Sequence, residues 1–346
     1  MRVLAALSGG VDSSVAAALL LDAGHEVVAV TMKLWGGAQD SGCCSVGDVE
    51  DARRVAQQLG IAHHVFNFTD DFEEHVVAPY AAAHAAGRTP NPCVECNRHL
   101  KFDRLVTRAA QLGFDALATG HHARVVGGSG SPYRLLRGSD RAKDQSYVLH
   151  MLAQPQLARL LLPVGDLTKA EVRHRASALG LRTAAKPESQ DTCFITASGG
   201  RQAFLGDRIP LRPARVLDAA GAVVGTVPTV ELVTVGQRRG LGGGGGERRY
   251  VVAVDVEERT VTVGSADDLG CRAVMVENMT WVVPHPIPVG TPVAVQASAH
   301  GRCVGAVWEG AAVRFDRSER RPAPGQAVVL YDAARGEEVL GGGMAA

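Results

Sequence analysis

The chain of 346 residues is short of four things, and each shortage removes a class of protein. Long apolar runs are missing: no stretch approaches the roughly 18 to 20 residues needed to span a bilayer. The apolar start, residues 3–7, is cut by Ser8-Gly9-Gly10-Val11-Asp12 before it reaches the length of a signal-peptide core. A membrane or secreted protein is thereby disfavoured, and the expected location is the cytoplasm. Net charge is missing too, since 36 Lys and Arg offset 36 Asp and Glu, which is not the balance of a dedicated nucleic-acid binder. Internal repeats are absent, and low complexity is confined to the five glycines at 242–246, expected to form a mobile loop. An even set of cysteines is also lacking. The seven present (Cys43, Cys44, Cys93, Cys96, Cys193, Cys271, Cys303) are scattered, which argues against a disulfide scaffold and for thiol chemistry or metal binding. What is there, 46% hydrophobic and 21% charged residues, is the balance of a globular chain of two or three domains.

The zero charge hides a sorting along the chain. Residues 1–87 hold 4 Lys and Arg against 11 Asp and Glu, whereas residues 88–215 hold 20 against 10. A basic middle suits either a polyanion-binding surface or arginine faces in solvent, and composition leaves both open. Periodicity changes as well. Residues 3–7, 27–32, 63–68 and 116–119 read as strands, and 13–23, 49–59 and 97–112 as helices, the first of them amphipathic. This alternation predicts a parallel sheet, which binds ligands at the carboxyl ends of its strands. From Pro213 onward short alternating runs take over at 214–217, 230–235, 250–256, 260–263, 274–276, 293–297, 311–315 and 327–331. They predict an all-β half of one or two small barrels or sandwiches.

The strongest local signal is Ser8-Gly9-Gly10-Val11-Asp12-Ser13-Ser14, between the first strand and the first helix. Its glycines let the backbone turn tightly and approach an anion, and the amides at the helix start favour a phosphate. The lysine and spacing of a Walker A loop are absent. The pattern S-G-G-x-D-S resembles the PP-loop ATP pyrophosphatases, which cleave ATP between the α and β phosphates and adenylate an oxygen. The resemblance implies an enzyme that releases AMP.

The cysteines narrow the class. Arg88-Thr89-Pro90-Asn91-Pro92-Cys93-Val94-Glu95-Cys96-Asn97 places C-x-x-C before a helix, where Cys96 is expected at the N-terminus with Arg98 and Lys101 nearby, a setting that favours a thiolate. Lys186-Pro187-Glu188-Ser189-Gln190-Asp191-Thr192-Cys193-Phe194-Ile195 presents another cysteine among polar residues, either filler or reactive thiol. Further stretches are Gly42-Cys43-Cys44-Ser45, Thr119-Gly120-His121, Lys143-Asp144-Gln145-Ser146-Tyr147, Leu162-Pro163-Val164-Gly165-Asp166-Leu167-Thr168-Lys169, Thr234-Val235-Gly236-Gln237-Arg238-Arg239-Gly240-Leu241 and Pro324-Gly325-Gln326. Taken in this order, the motifs closely resemble the tRNA-specific 2-thiouridylases of the MnmA family over nearly the whole chain.

The resemblance implies replacement of oxygen by sulfur at C2 of the wobble uridine of tRNA, with adenylation of the oxygen before sulfur attack. ATP would be held by Ala6, Leu7, Ser8, Gly9, Gly10, Val11, Asp12, Ser13, Met32 and Gly120, with Mg2+ neutralising its phosphates. Cys193 would carry a persulfide and Cys96 act as nucleophile, leaving a transient disulfide between them. Asn91, Pro92, Cys93, His121, Lys143, Asp144, Gln145 and Gln326 match positions that meet tRNA. Two departures matter. Many family members have an aspartate where Cys93 stands, so the general base is unassigned, and Cys93, Cys96 and Cys193 offer three thiolates for an iron-sulfur cluster. Where the family often has a basic-aromatic pair this chain has Gln296-Ala297, and that tRNA contact is not carried over.

The expected architecture is a Rossmann-like α/β PP-loop domain over 1–205, a small β-rich central domain over 206–270 and a C-terminal β-barrel over 271–346. Expected partners are a tRNA with an unmodified wobble uridine and a sulfur-donor protein, either a cysteine desulfurase or a relay protein, and no membrane. Two rivals remain. One is a PP-loop enzyme that thiolates another tRNA base or delivers an amine. The other is a non-catalytic iron-sulfur RNA-binding module, against which the intact loop at Ser8 to Ser13 argues.

Overall fold

The computed structural model describes residues 1–35, 45–187, 192–195, 199–242 and 248–346. Strands β1 (Arg2–Ala6), β2 (Glu26–Lys33), β3 (His63–Asn67) and β4 (Ala116–Ala118) are followed by a hairpin, β5 (Ala123–Gly128) and β6 (Ser131–Arg137), and by the short β7 (Leu160–Leu161). The predicted parallel sheet forms from five of them in the order β3–β2–β1–β4–β7. Because successive strand residues face opposite ways, Leu4 of β1 enters one apolar cluster while Val3 and Ala5 enter a second on the other face.

Helix α1 (Val11–Asp22) departs from the amphipathic expectation. Val11, Ser13, Ser14, Val15, Ala16, Ala17, Ala18 and Leu20 are all buried, because the sheet, the helix Lys169–Ala178 and α2 (Val46–Leu59) all pack on it. Its run of small side chains lets them approach. α2 is the amphipathic helix, with Ala52, Val55 and Ala56 buried, Ser45 accepting from the Asp48 amide at 3.1 Å as cap, and Gly60 ending it at a φ of 70°. The helix predicted over 97–112 starts a turn earlier. Asn91 caps it by accepting from the Cys93 amide at 3.1 Å, and Pro92 suits the first position. Cys96 therefore lies one turn inside the helix, not at its N-terminus. From there the backbone is π-helical over Cys96–Arg104 and α-helical over Leu105–Gln111. The wider turns bury Cys96, Asn97, Leu100 and Phe102.

The β half begins with β8 (Ala214–Leu217), β9 (Val223–Val227), β10 (Tyr250–Asp255) and β11 (Thr260–Gly264), a four-stranded sheet in the order β10–β11–β8–β9. The strand expected at 230–235 is instead a 3-10 turn, Val230–Leu232. Val230, Glu231 and Val233 are all buried, which alternation does not permit. β12 (Gly270–Trp281), β13 (Pro292–Gln296), β14 (Val304–Trp308), β15 (Ala312–Arg320), β16 (Ala327–Asp332) and β17 (Glu338–Ala345) form an antiparallel barrel, closed by pairing of β12 with β17. β9, β14 and β17 were not foreseen from the sequence.

Nor was the hairpin β5–β6. It leaves the α/β part and extends the barrel sheet, with Leu135 opposite Val339 and Leu136 opposite Glu338 of β17. One apolar cluster accordingly runs from Leu4 and Val30 through Leu100, Leu135 and Tyr147 to Val282, Tyr331 and Val339. Among the described residues no helix is long and apolar enough to cross a membrane.

Candidate active site

The loop from Ser8 to Ser13 lies at the carboxyl end of β1 and leads into α1, as its sequence predicts. Gly9 has a φ of +71°, and a Cβ there would overlap the Asp48 carbonyl oxygen, so no side chain is tolerated. Ser13 Oγ donates to the Gly10 carbonyl at 3.0 Å and accepts from the Ser8 amide at 3.1 Å, while Ser14 Oγ donates to the same carbonyl at 2.9 Å. The N-cap of α1 is Gly10, with no side chain covering the first amides of a 12-residue helix. That arrangement is open to an anion. Gly120, after β4, closes the loop from the other side: a Cβ there would stand 2.5 Å from the Ser13 amide nitrogen. Leu7 is buried, and its carbonyl accepts from Thr31 Oγ1 at 2.8 Å; Met32, at the end of β2, is 8% exposed.

Two lysines to which the sequence reading gave no role converge on this loop. Lys169 Nζ reaches both Asp12 oxygens at 2.8 and 2.7 Å, and His122 Nε2 lies 3.1 Å from Oδ1. Burial raises the Asp12 pKa, yet the hydrogen bonds from His122 and Lys169 outweigh it and hold the carboxyl below its ordinary value. His122 is itself held in place, its amide donating to Gln145 Oε1 and its carbonyl accepting from the Gln145 amide, both at 2.9 Å. Lys186 Nζ donates to the Gly9 carbonyl at 2.9 Å and to Asp48 Oδ1 and Asp51 Oδ2 at 2.6 Å each. Burial lowers the Lys186 pKa, but these two carboxylates raise it further than burial lowers it. Lys169 ends one stretch already singled out and Lys186 opens another, and the acidic first segment was a further signal that basic partners from the second would meet it.

The cysteine positions lie on the same body. Cys96 is 8% exposed and belongs to an apolar cluster that includes Phe194, and half-buried Cys193 packs against that cluster. Phe194 fixes the end of its segment, its ring centroid 5.5 Å from Phe72 and from Tyr80 and 5.0 Å from Phe204. Cys93 is half-buried on the capped turn. Among the described residues no group of three or more His, Cys, Asp or Glu is placed to hold a metal ion, so Cys93, Cys96 and Cys193 do not form a ready ligand set. Cys43, Cys44, residues 188–191 of the Cys193 motif and the glycines at 243–246 lie outside the described residues.

Several positions matched to tRNA contacts have inward hydrogen bonds. The Asp144 carboxylate, 4% exposed, accepts from Arg137 at 2.5 Å, the Gly138 amide at 2.9 Å and Ser146 Oγ at 2.9 Å. Gln326 Nε2 donates to the Thr89 carbonyl at 2.7 Å, supporting the segment that enters Asn91-Pro92-Cys93. Gln296, at the departure from the family pattern, accepts from Arg137 at 2.7 Å and is 3% exposed. His121 hydrogen-bonds Thr119 Oγ1 at 2.7 Å, and burial of its ring, with Lys101 adding to it, pushes its pKa well below the ordinary value although part of the residue meets solvent. Lys143, next to Asp144, is partly exposed.

Residues 1–197 match the tRNA methyl transferase HUP domain, 202–265 the tRNA methyl transferase PRC-barrel domain and 271–345 the aminomethyltransferase β-barrel domain. The tRNA-specific 2-thiouridylase MnmA of Chloroflexus aurantiacus is 46% identical over 356 residues, covering 99% of this chain and 97% of its own. The MnmA of Mycobacteroides abscessus is 48% identical over 357 residues, covering 99% and 98%. A solved 4-thiouridine synthetase–RNA complex with bound ATP shares 20% identity at a TM-score of 0.38, over 56% of this chain and 44% of that one, a likeness too loose to build on. The domain names speak of methyl transfer, whereas the relatives that match end to end are named for thiolation. Identity of this order over the full length places the chain in the MnmA family of tRNA-specific 2-thiouridylases.

Proposed function

We propose that this chain replaces the C2 oxygen of the wobble uridine of tRNA with sulfur, consuming ATP and releasing AMP and pyrophosphate. The observation that carries the reading is an open anion loop and two cysteine positions on one α/β body, in a chain 46–48% identical end to end to 2-thiouridylases. A carbonyl oxygen is a poor leaving group, so it must first be activated. The C2 oxygen attacks the α-phosphorus, the bond to the β-phosphate breaks, and pyrophosphate leaves against the amides at the start of α1. Asp12 is the carboxylate at hand for Mg2+, whose charge would offset that of the phosphates.

Sulfur arrives as a persulfide on Cys193, loaded by a donor protein. Its terminal sulfur attacks C2 and AMP leaves with the bonding pair. The Cys96 thiolate then attacks Cys193 Sγ, breaks the sulfur–sulfur bond and frees the 2-thiouridine, and a thiol reductant reopens the resulting disulfide. No step is routed through an iron-sulfur cluster, since the three thiols are not gathered to hold one. In this reading Asn91, Pro92, Cys93, His121 and Lys143 meet the RNA, while Asp144, Gln145 and Gln326 hold the shape of the surface it meets. Domain limits of 1–205, 206–270 and 271–346 go with the proposal, the hairpin β5–β6 being shared with the barrel.

The test is anaerobic incubation with ATP, Mg2+, unmodified tRNA and a persulfide donor, followed by nucleoside mass spectrometry. The expected product is 2-thiouridine, lost in both Cys96→Ser and Cys193→Ser. A different thiolated base, or 2-thiouridine undiminished in both variants, overturns the reading. Activity that appears only after iron-sulfur reconstitution favours the cluster in place of the persulfide.

A further inference from the structure

The turn that carries Cys93 and Cys96 is held from outside the α/β part. It is reached through Gly87-Arg88-Thr89-Pro90-Asn91-Pro92, which follows the helix Ala78–Ala85. Gly87 has a φ of +70°, and a Cβ there would stand 2.8 Å from Val256 of the central domain. Thr89 commits its amide, carbonyl and hydroxyl to other domains. The amide donates to the Pro324 carbonyl at 2.8 Å, the carbonyl accepts from Gln326 Nε2 at 2.7 Å, and the hydroxyl donates to Thr234 Oγ1 at 3.2 Å. Gln326 is itself fixed to β17, its carbonyl accepting from the Ala345 amide at 2.8 Å, and Arg320 of the barrel donates to the Gly236 carbonyl at 2.6 Å, close to Thr234. Barrel, central domain and cysteine segment therefore meet at one residue. Beyond it the chain is stiff. Pro90 and Pro92 fix their own φ, and a residue before proline is confined to extended backbone, as Asn91 is at a φ of −104° and a ψ of 101°. Asn91 then caps the Cys93 amide, so a displacement at Thr89 is passed to the turn instead of being absorbed on the way.

We propose that Thr89 is a positioning residue of the thiolation reaction, fixing the cysteine turn against the central domain and the barrel so that the Cys96 thiolate meets the sulfur–sulfur bond it must break. This rests on the function proposed above. In that reaction the terminal sulfur of the persulfide displaces AMP from C2, which leaves the tRNA joined to Cys193 through a disulfide. The Cys96 thiolate then attacks Cys193 Sγ, and the electron pair of the broken bond leaves on the sulfur of the freed 2-thiouridine. A loosened turn spares the first step and slows the second, so disulfide-linked tRNA accumulates.

The experiment follows AMP, freed 2-thiouridine and protein-linked tRNA in single turnovers without added reductant, with Cys193 preloaded with persulfide and its loading checked by mass spectrometry. Thr89→Val keeps the shape and both backbone bonds. In it, freed 2-thiouridine per AMP is expected to fall at least about threefold, and the missing tRNA to run with the protein on a gel until thiol is added. Thr234→Val removes the same bond from the other side, so it gives the same shift and the double variant goes no further. Thr89→Ser keeps the hydroxyl and restores the yield. A merely structural hydroxyl lowers AMP and 2-thiouridine in parallel with no linked tRNA, and a simple RNA contact weakens tRNA binding at a constant ratio. Either result, an unchanged ratio, or single effects that multiply in the double variant overturns the proposal. If the intact protein makes no 2-thiouridine, the functional reading fails first and this proposal with it.

Discussion

At the scale of the residue, the loop works because two glycines allow backbones to touch. Gly120 is the cleaner test, because its φ is ordinary and only space forbids a side chain. Gly120→Ala pushes a Cβ into the Asp12 and Ser13 backbone, so it is expected to cost about 1–3 kcal/mol of stability and to raise the KM for ATP, read by thermal melts and initial rates. Asp12→Asn removes the charge that holds Lys169 and receives His122. It is expected to lower tRNA-dependent AMP formation by roughly 100-fold with an unchanged circular dichroism spectrum. Much of this site was legible. A short run of glycine, aspartate and serine says where the backbone must bend, because the requirement is local. Lys169 and Lys186 were not legible as site residues, since a lysine carries no local mark of the carboxylate it will meet some 140 to 160 positions away. Asp144 stands in a stretch shared with the family, and its pairing with Arg137, seven positions away, carries no such mark either.

At the scale of the element, the hairpin β5–β6 decides how the α/β part and the barrel meet. Arg137 at its end donates to Asp144, Gln296 and the Gly336 carbonyl, contacts Cys303 Sγ at 2.8 Å, and lies 3.8 Å over the Tyr331 ring, with 11% of its side chain exposed. Removing one partner of such a pair strands a buried charge. Arg137→Met is expected to cost about 3–5 kcal/mol, measured as a shift in urea midpoint, and Asp144→Asn less because it leaves hydrogen-bonding atoms behind. Sequence periodicity found the parallel strands but not this hairpin, whose Val125 and Val126 are broken by Gly127, Gly128 and Gly130. The helix after Cys96 was foreseen without its wide turns, because a 3.6-residue repeat does not describe π-helical ones.

At the scale of the molecule, the sorted charge is partly spent inside. Asp12 with Lys169, Asp48 and Asp51 with Lys186, Asp51 with Arg182 and Asp71 with Arg104 all join the acidic first segment to the basic second. Fewer cations are therefore left for RNA than composition implies. Stability also carries a pH signature. Burial holds His84 and His150 down to about 4, whereas an unfolded chain takes up those protons near 6.5. Between these values the unfolded state binds more protons, so stability falls as pH drops from 6.5 toward 4, by up to about 3 kcal/mol per histidine. Urea unfolding across that window checks it, and His150→Gln, if it folds, flattens the slope.

The pairing of β6 with β17 also sets a timetable for synthesis. A ribosome delivers the hairpin some 200 residues before the strand that completes it. Until β17 emerges, the outer edge of β6 has no neighbour and Leu135, Tyr147 and their cluster lack Val339. The nascent α/β part must then wait, incompletely closed and prone to sticking, for the far end of the barrel. Stalled chains that stop short of β17 are expected to be captured by chaperones, while the finished protein is not, a difference that pulse-labelled translation with timed protease challenge would reveal.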